Sequence, residues 1–197
     1  MVVNSEMINS MKEYALEHNV PIMSDEGISY LTSYCMKNHV HSILEIGTAI
    51  GYSAILLAMT GEYVEVTTIE RDEKRYLEAL KNVKKANLED RIELIYHDAL
   101  DVKIKGQYDL IFIDAAKAQN IKFFEKFQKN LKPTGTIITD NMNFHGLVNV
   151  DENTIESRNL RQLVRKIKEY KTYLENNDNY ITTFKNVGDG LAVSIKK

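Results

Sequence analysis

Leu110-Ile111-Phe112-Ile113-Asp114-Ala115-Ala116-Lys117 and, further on, Thr136-Ile137-Ile138-Thr139-Asp140-Asn141 share one pattern, an apolar run that ends on an acidic residue. Continuous apolar runs of this length read as strands covered on both faces, the mark of a parallel sheet. Open parallel sheets bind ligands at the carboxyl ends of their strands. Asp114, Asp140 and Asn141 are therefore expected to converge on one spot, and three hard oxygen donors suit Mg²⁺ or a similar divalent cation. Taken singly, each Asp is also an ordinary residue to find after a strand. Lys117 follows Asp114 by one turn of chain. Beside a cation it can serve as general base or orient a substrate; away from one it is a surface lysine starting a helix.

Outward from these runs, strands and helices alternate. Helical patterns cover 5–18 and 24–37, separated by Val20-Pro21-Ile22-Met23, as a cap ahead of the first strand. Strands are expected at 42–46, Val64–Ile69, Ile92–Tyr96, Tyr108–Ile113 and Gly135–Thr139, with helices at 51–60, 73–87 and 119–130 between them. Such alternation implies a parallel sheet with helices on both faces. After a helix at about 154–171, Tyr180–Lys185 and Leu191–Ile195 alternate as strands around the turn-forming Asn186-Val187-Gly188-Asp189-Gly190, which closes the sheet with an antiparallel hairpin. The expected fold is a single α/β domain over residues 1–197.

A ligand loop stands at the first strand. Gly47 and Gly51 bracket Thr48-Ala49-Ile50 in a strand-to-helix turn, where the backbone can approach a ligand closely. The spacing differs from the dinucleotide pattern, and Ala49 fills its middle position, so a cofactor without phosphates fits better. A turn needed only for packing reads the same way. Glu70 ends the second strand, about 20 residues on, where an acidic side chain typically holds ribose hydroxyls. Asp98, followed by Ala99, can accept from an adenine amino group or cap the next turn. A cofactor loop and a cation site on one sheet suggest a metal-assisted transferase.

Composition sets the outer bounds. The chain has 197 residues, 44% hydrophobic and 27% charged, with a net charge of −3, an ordinary globular balance that does not advertise nucleic-acid binding. The single cysteine, Cys35, rules out an intrachain disulfide and suits a reducing, cytoplasmic compartment. Cys35 lies in an apolar helical pattern and reads as core. No secretory signal pattern opens the chain, and no stretch approaches the roughly 18 apolar residues of a membrane span, so no membrane partner is expected. The histidines show no metal-ligand spacing; His145 lies near enough to Asp140 in sequence to border the site.

The last helix is basic. Residues 158–171 hold six basic side chains and one acidic, with Arg158, Arg161, Arg165 and Lys168 on one face and Leu160, Leu163, Val164 and Ile167 on the other. Lys117, Lys122, Lys126, Lys129 and Lys132 form a second basic run. Such a face can attract a phosphate backbone, and it can equally be a solvated helix surface.

Together, Glu45-Ile46-Gly47-Thr48-Ala49-Ile50-Gly51-Tyr52-Ser53, Ile69-Glu70-Arg71, Phe112–Lys117, Thr139-Asp140-Asn141 and Gly188-Asp189-Gly190-Leu191 resemble the cation-dependent O-methyltransferases of the catechol and caffeoyl-CoA type. The similarity spans nearly the whole chain. It implies a Rossmann-like seven-stranded methyltransferase fold, S-adenosylmethionine as donor and a homodimer. By motif match, Met23, Gly47, Ser53, Glu70, Asp98, Ala99 and Asp114 are expected to line the cofactor site. Asp114, Asp140 and Asn141 are expected to hold Mg²⁺, with Lys117 and Asp114 in the catalytic role. Val20–Met23 and the Arg-rich helix are similar to the branch that methylates 5-hydroxyuridine at the wobble position of bacterial tRNA to 5-methoxyuridine. That makes tRNA the expected acceptor, with Arg158, Arg161, Arg165 and Lys168 as its contacts. A small catechol or a caffeoyl-CoA-type molecule is the alternative. Two departures stand out: His97 replaces the Gly common before the Asp-Ala pair, and the amino-terminal segment is short for the family.

Overall fold

The computed structural model describes residues 5–144 and 146–197; His145 lies outside the described residues. The chain divides into two compact units, one up to Lys103 and one from Ile104. The sheet has seven strands, three supplied by the first unit and four by the second.

The first unit comprises α1 (Ser5–Glu17), α2 (Asp25–Lys37), β1 (Ser42–Ile46), α3 (Tyr52–Ala58), β2 (Glu65–Glu70), α4 (Glu73–Ala86) and β3 (Ile92–Tyr96). β1 pairs in parallel with β2, from Ser42 opposite Glu65 to Ile46 opposite Ile69, and β2 pairs in parallel with β3. Ile43, Leu44 and Ile46 are fully buried, as the apolar run requires. The helices begin where their caps allow. The Ser24 hydroxyl accepts from the Gly27 N–H at 3.2 Å, and Asp72 accepts from the Arg75 N–H at 3.0 Å; each satisfies a donor that a helix start leaves open. Cys35 is buried and burial pushes its thiol up to about 12, so it is core, as the pattern indicated.

The second unit comprises β4 (Tyr108–Ile113), α5 (Asn120–Phe127), β5 (Leu131–Thr139), α6 (Arg158–Glu175), β6 (Tyr180–Lys185) and β7 (Leu191–Lys196). β4 and β5 are parallel; β7 runs antiparallel to both β5 and β6, which is the expected hairpin. Its core is aromatic. Phe124 is fully buried, with the rings of Tyr170, Tyr173 and Tyr180 edge-on at 6.4, 5.7 and 5.0 Å between centroids, an arrangement the ring quadrupole favours. Tyr170 is fully buried and its hydroxyl finds Thr139 at 2.8 Å.

The larger differences from the sequence reading lie at the ends of α6, β5 and α5. Helix α6 starts at Arg158 rather than about 154, because the Ser157 hydroxyl caps it by accepting from Leu160 N–H at 3.3 Å; it runs on to Glu175. Residues 152–154 form a separate 3-10 turn. Strand β5 begins at Leu131, ahead of Gly135, and the register shifts between Tyr108 and Leu110, an irregularity near Pro133 that its missing N–H accommodates. The helix expected at 119–130 is α5 flanked by 3-10 turns at 117–119 and 128–130.

Candidate functional site

The glycine turn of the first unit leaves β1 under tight backbone control. The N–H groups of Gly47 and Thr48 both donate to the Ile69 carbonyl, at 3.0 and 3.2 Å. Gly51 caps α3 at φ +83°, and Ala49 is also left-handed at φ +47°. A residue with a Cβ adopts that conformation at a cost. Here the Ala49 N–H donates to Glu70 Oε2 at 2.8 Å. Glu70 Oε1 accepts from the N–H groups of Arg71 and Asp72 at 2.9 and 2.8 Å. The buried Glu70 carboxylate thus ties the turn to the end of β2, and Oε2 keeps acceptor capacity for a further donor such as a ribose hydroxyl.

Behind the turn lies a network that the sequence reading assigned no role. Glu45 is fully buried in β1. It accepts from the Ser53 and Thr68 hydroxyls, both at 2.5 Å, and the Thr68 hydroxyl meets that of Thr48 at 2.6 Å. Burial pushes the Glu45 carboxyl up to about 7; the two hydroxyls oppose that rise and the Glu70 charge adds to it. Ser53, expected at the cofactor, has its hydroxyl engaged by Glu45. The one sequence signal was a charge inside an apolar strand, Ile43-Leu44-Glu45-Ile46.

The remaining cofactor candidates divide. Met23 is buried against α2, its Cε within 3.0 Å of where a side chain on Gly27 would begin. Ala99 is buried. Asp98 caps its own turn: Oδ1 accepts from Leu100 N–H at 2.8 Å and Oδ2 faces Arg71 at 3.4 Å. The Leu100 N–H foremost, then Arg71, holds this carboxyl below its ordinary range.

In the second unit, Asp114, Asp140 and Asn141 come together as expected. Asp114 follows β4 and Asp140 follows β5. Asn141 donates from its side chain to Asp114 Oδ1 at 3.2 Å and from its backbone to Asp140 Oδ1 at 2.7 Å. Asp140 is buried, and burial pushes its carboxyl up to about 6; the Asn141 N–H and the Lys117 charge pull it down, and the Asp189 charge pushes it up. Lys117 is half-buried, its Nζ 5.9 Å from the Phe144 ring centre. Asp189 is the second residue without a prior role; a turn position gave no hint that it would face a strand end.

This donor set fits a hard divalent cation. Two carboxylates and an amide supply oxygen ligands, and the amide group presents its oxygen after a rotation that exchanges N and O. Among the described residues no cluster of three or more His, Cys, Asp or Glu side chains is placed to hold a metal. Among the same residues, no helix is long and apolar enough to cross a membrane.

The basic helix α6 keeps local company. Arg161 donates to the Ile155 carbonyl at 3.2 and 2.7 Å. Arg165 and Lys168 both pair with Glu152, at 3.4 and 3.2 Å. Arg158 is exposed. On the opposite face, Val164 and Ile167 are buried with Tyr170 and Leu174, whereas Leu160 and Leu163 are half-buried.

The chain is similar to known proteins over nearly its whole length. A profile of the O-methyltransferase family matches residues 2–197. An Arabidopsis thaliana protein named as a candidate caffeoyl-CoA O-methyltransferase is 30% identical over 183 residues, covering 90% of this chain and 77% of its own. A solved Staphylococcus aureus structure, named as a candidate caffeoyl-CoA O-methyltransferase, is 41% identical, covers 98% of this chain and 93% of its own, and superposes with a TM-score of 0.92. The Bacillus cereus O-methyltransferase in complex with SAH is 27% identical over 100% of this chain and 93% of its own, at a TM-score of 0.83. With its profile matched over residues 2–197, the chain belongs to the O-methyltransferase family.

Proposed function

We propose that this chain transfers a methyl group from S-adenosylmethionine to a hydroxyl of an acceptor with two adjacent oxygens, such as the ring of a catechol or a caffeoyl-CoA-type ester. The observation that carries the reading is the hydrogen-bonded trio Asp114–Asn141–Asp140 at the ends of two parallel strands. Asp114, Asp140 and Asn141 would hold the cation. When bound, it lowers the pKa of an acceptor hydroxyl and aligns its oxygen. Lys117, whose charge reaches Asp140, orients that oxygen or takes its proton. The methyl–sulfur bond breaks as the methyl–oxygen bond forms, leaving a neutral thioether. Glu70, fixed by three backbone N–H groups, accepts from the ribose diol of the donor.

The named relatives support a small phenolic acceptor. A second reading keeps 5-hydroxyuridine of tRNA, whose 5-hydroxyl and 4-carbonyl offer the same oxygen pair. What favours it is a groove lined by Asn159, Gln162, Leu163, Arg165, Lys166 and Glu169 beside Ala118, the neighbour of Lys117. Arg165 and Lys166 bring positive charge that suits a polyanion, partly met by Glu152 at 3.4 Å and Glu169 at 2.6 Å. Charge reversal separates the two. With tRNA as acceptor, Arg158→Glu combined with Arg165→Glu lowers methyl transfer to tRNA about tenfold or more at low salt and leaves transfer to a catechol within twofold. With a small acceptor, the double variant matches the unaltered chain. A homodimer belongs to this proposal too; sedimentation velocity at micromolar concentration checks it.

A further inference from the structure

The turn between β6 and β7 reaches back to the strand end that carries the cation trio. Met142 N–H donates to the Gly190 carbonyl at 2.9 Å, and Asn143 N–H donates to the Asp189 carbonyl at 2.8 Å. The β5–β7 ladder ends at Thr139 opposite Ala192. From there to the Met142–Gly190 bond, the β5 side advances by three residues and the β7 side by two. Past the end of the ladder the chain leaves the strand register, and Asn141, in that departure, takes the left-handed φ of +63°. Its side chain is the one that bonds to Asp114.

Gly190 makes the close approach possible. It is buried at φ +85°, and a Cβ on it would lie 2.8 Å from Asn143 N and 2.9 Å from Asn143 Cβ. Nothing larger than glycine fits without pushing Asn143 away. The neighbouring Asp189 holds the same segment through its backbone carbonyl, which accepts from the Asn143 N–H at 2.8 Å, and its charge acts on Asp140.

We propose that the β6–β7 turn is the positioning element of the cation site: Gly190 sets the path of residues 141–143, and with it Asn141, while Asp189 adds negative charge beside Asp140. The inference rests on the cation-site reading above. It assigns Gly190 and Asp189 as positioning residues, which act through Asn141 and Asp140.

The test is a titration with Mn²⁺ alone, followed by electron paramagnetic resonance, on the full chain. Gly190→Ala is expected to weaken Mn²⁺ binding about tenfold to a hundredfold, the range for residues that orient metal ligands. Asp189→Asn is expected to weaken it about tenfold. S-adenosylhomocysteine binding, measured by calorimetry without metal, stays within twofold in both variants, which separates a positioning effect from general unfolding. Should Gly190→Ala not fold, Asp189→Asn carries the decision. Mn²⁺ affinity within twofold of the unaltered chain in the folded variants overturns the proposal. An unaltered chain that binds S-adenosylhomocysteine but no Mn²⁺ overturns the cation site itself, and this inference with it.

Discussion

Replacing Asp140 with asparagine is expected to lower cation-dependent methyl transfer about a thousandfold, the several kcal/mol that a bound metal contributes to stabilising developing charge, while leaving S-adenosylhomocysteine binding intact. The substitution keeps the side chain's shape and an acceptor for the Asn141 N–H, now 2.7 Å away. It removes one charge from a trio that has only two carboxylates. Stability moves the other way. Burial is the largest influence on this carboxyl and disfavours its ionised form, so a neutral amide in its place does not lower the folding free energy. Activity assays with Mg²⁺ and urea unfolding of the same preparation read both effects. A variant that loses activity only because it unfolds would contradict the assignment.

Glu45→Gln is expected to remove a pH dependence of stability rather than stability itself. The folded Glu45 carboxyl stands at about 7 against an ordinary 4.5, with burial the main cause. A carboxyl whose folded value is raised holds its proton longer in the native state than in the unfolded one. Its contribution is therefore intact below about pH 4.5 and is lost as pH rises toward 7. The loss amounts to about 3 kcal/mol at pH 8. Glutamine carries no charge to desolvate, accepts from one of the Ser53 and Thr68 hydroxyls and donates to the other. Urea midpoints at pH 5 and pH 8 check the prediction: the difference between the unaltered chain and Glu45→Gln should shift in favour of the variant at the higher pH. An equal difference at both values would mean that Glu45 is not buried as a proton-holding group.

The parallel strands and their acidic ends were legible because a doubly covered strand writes its burial directly into the sequence. Ile111, Phe112 and Ile113 are all buried, and Asp114 is the first residue free to turn polar. The trio followed, since strand ends in one parallel sheet point the same way. What periodicity carries poorly is a partner far along the chain. Glu152 neutralises Arg165 and Lys168 from outside their helix, so a face that reads as four basic charges carries fewer open ones. Glu45 needed hydroxyls from β2 and α3 to be tolerated in a core, and nothing local announces them. The start of α6 was misplaced for a related reason: Glu152, Asn153 and Thr154 continue a polar pattern, and only the Ser157 cap geometry decides where the helix begins. The path at Asn141 depends on contacts of Met142 and Asn143 with Gly190 and Asp189, far along the chain, and nothing near Asn141 in the sequence announces them.

The most direct test is methyl transfer from labelled S-adenosylmethionine to a catechol and to tRNA bearing 5-hydroxyuridine, each with Mg²⁺ and with EDTA. Label on an acceptor oxygen that appears with Mg²⁺ and vanishes in EDTA is the predicted result, and the acceptor that takes it names the substrate class. Label that persists unchanged in EDTA, or none on either acceptor, would contradict the cation-assisted transfer assigned to Asp114, Asp140 and Asn141.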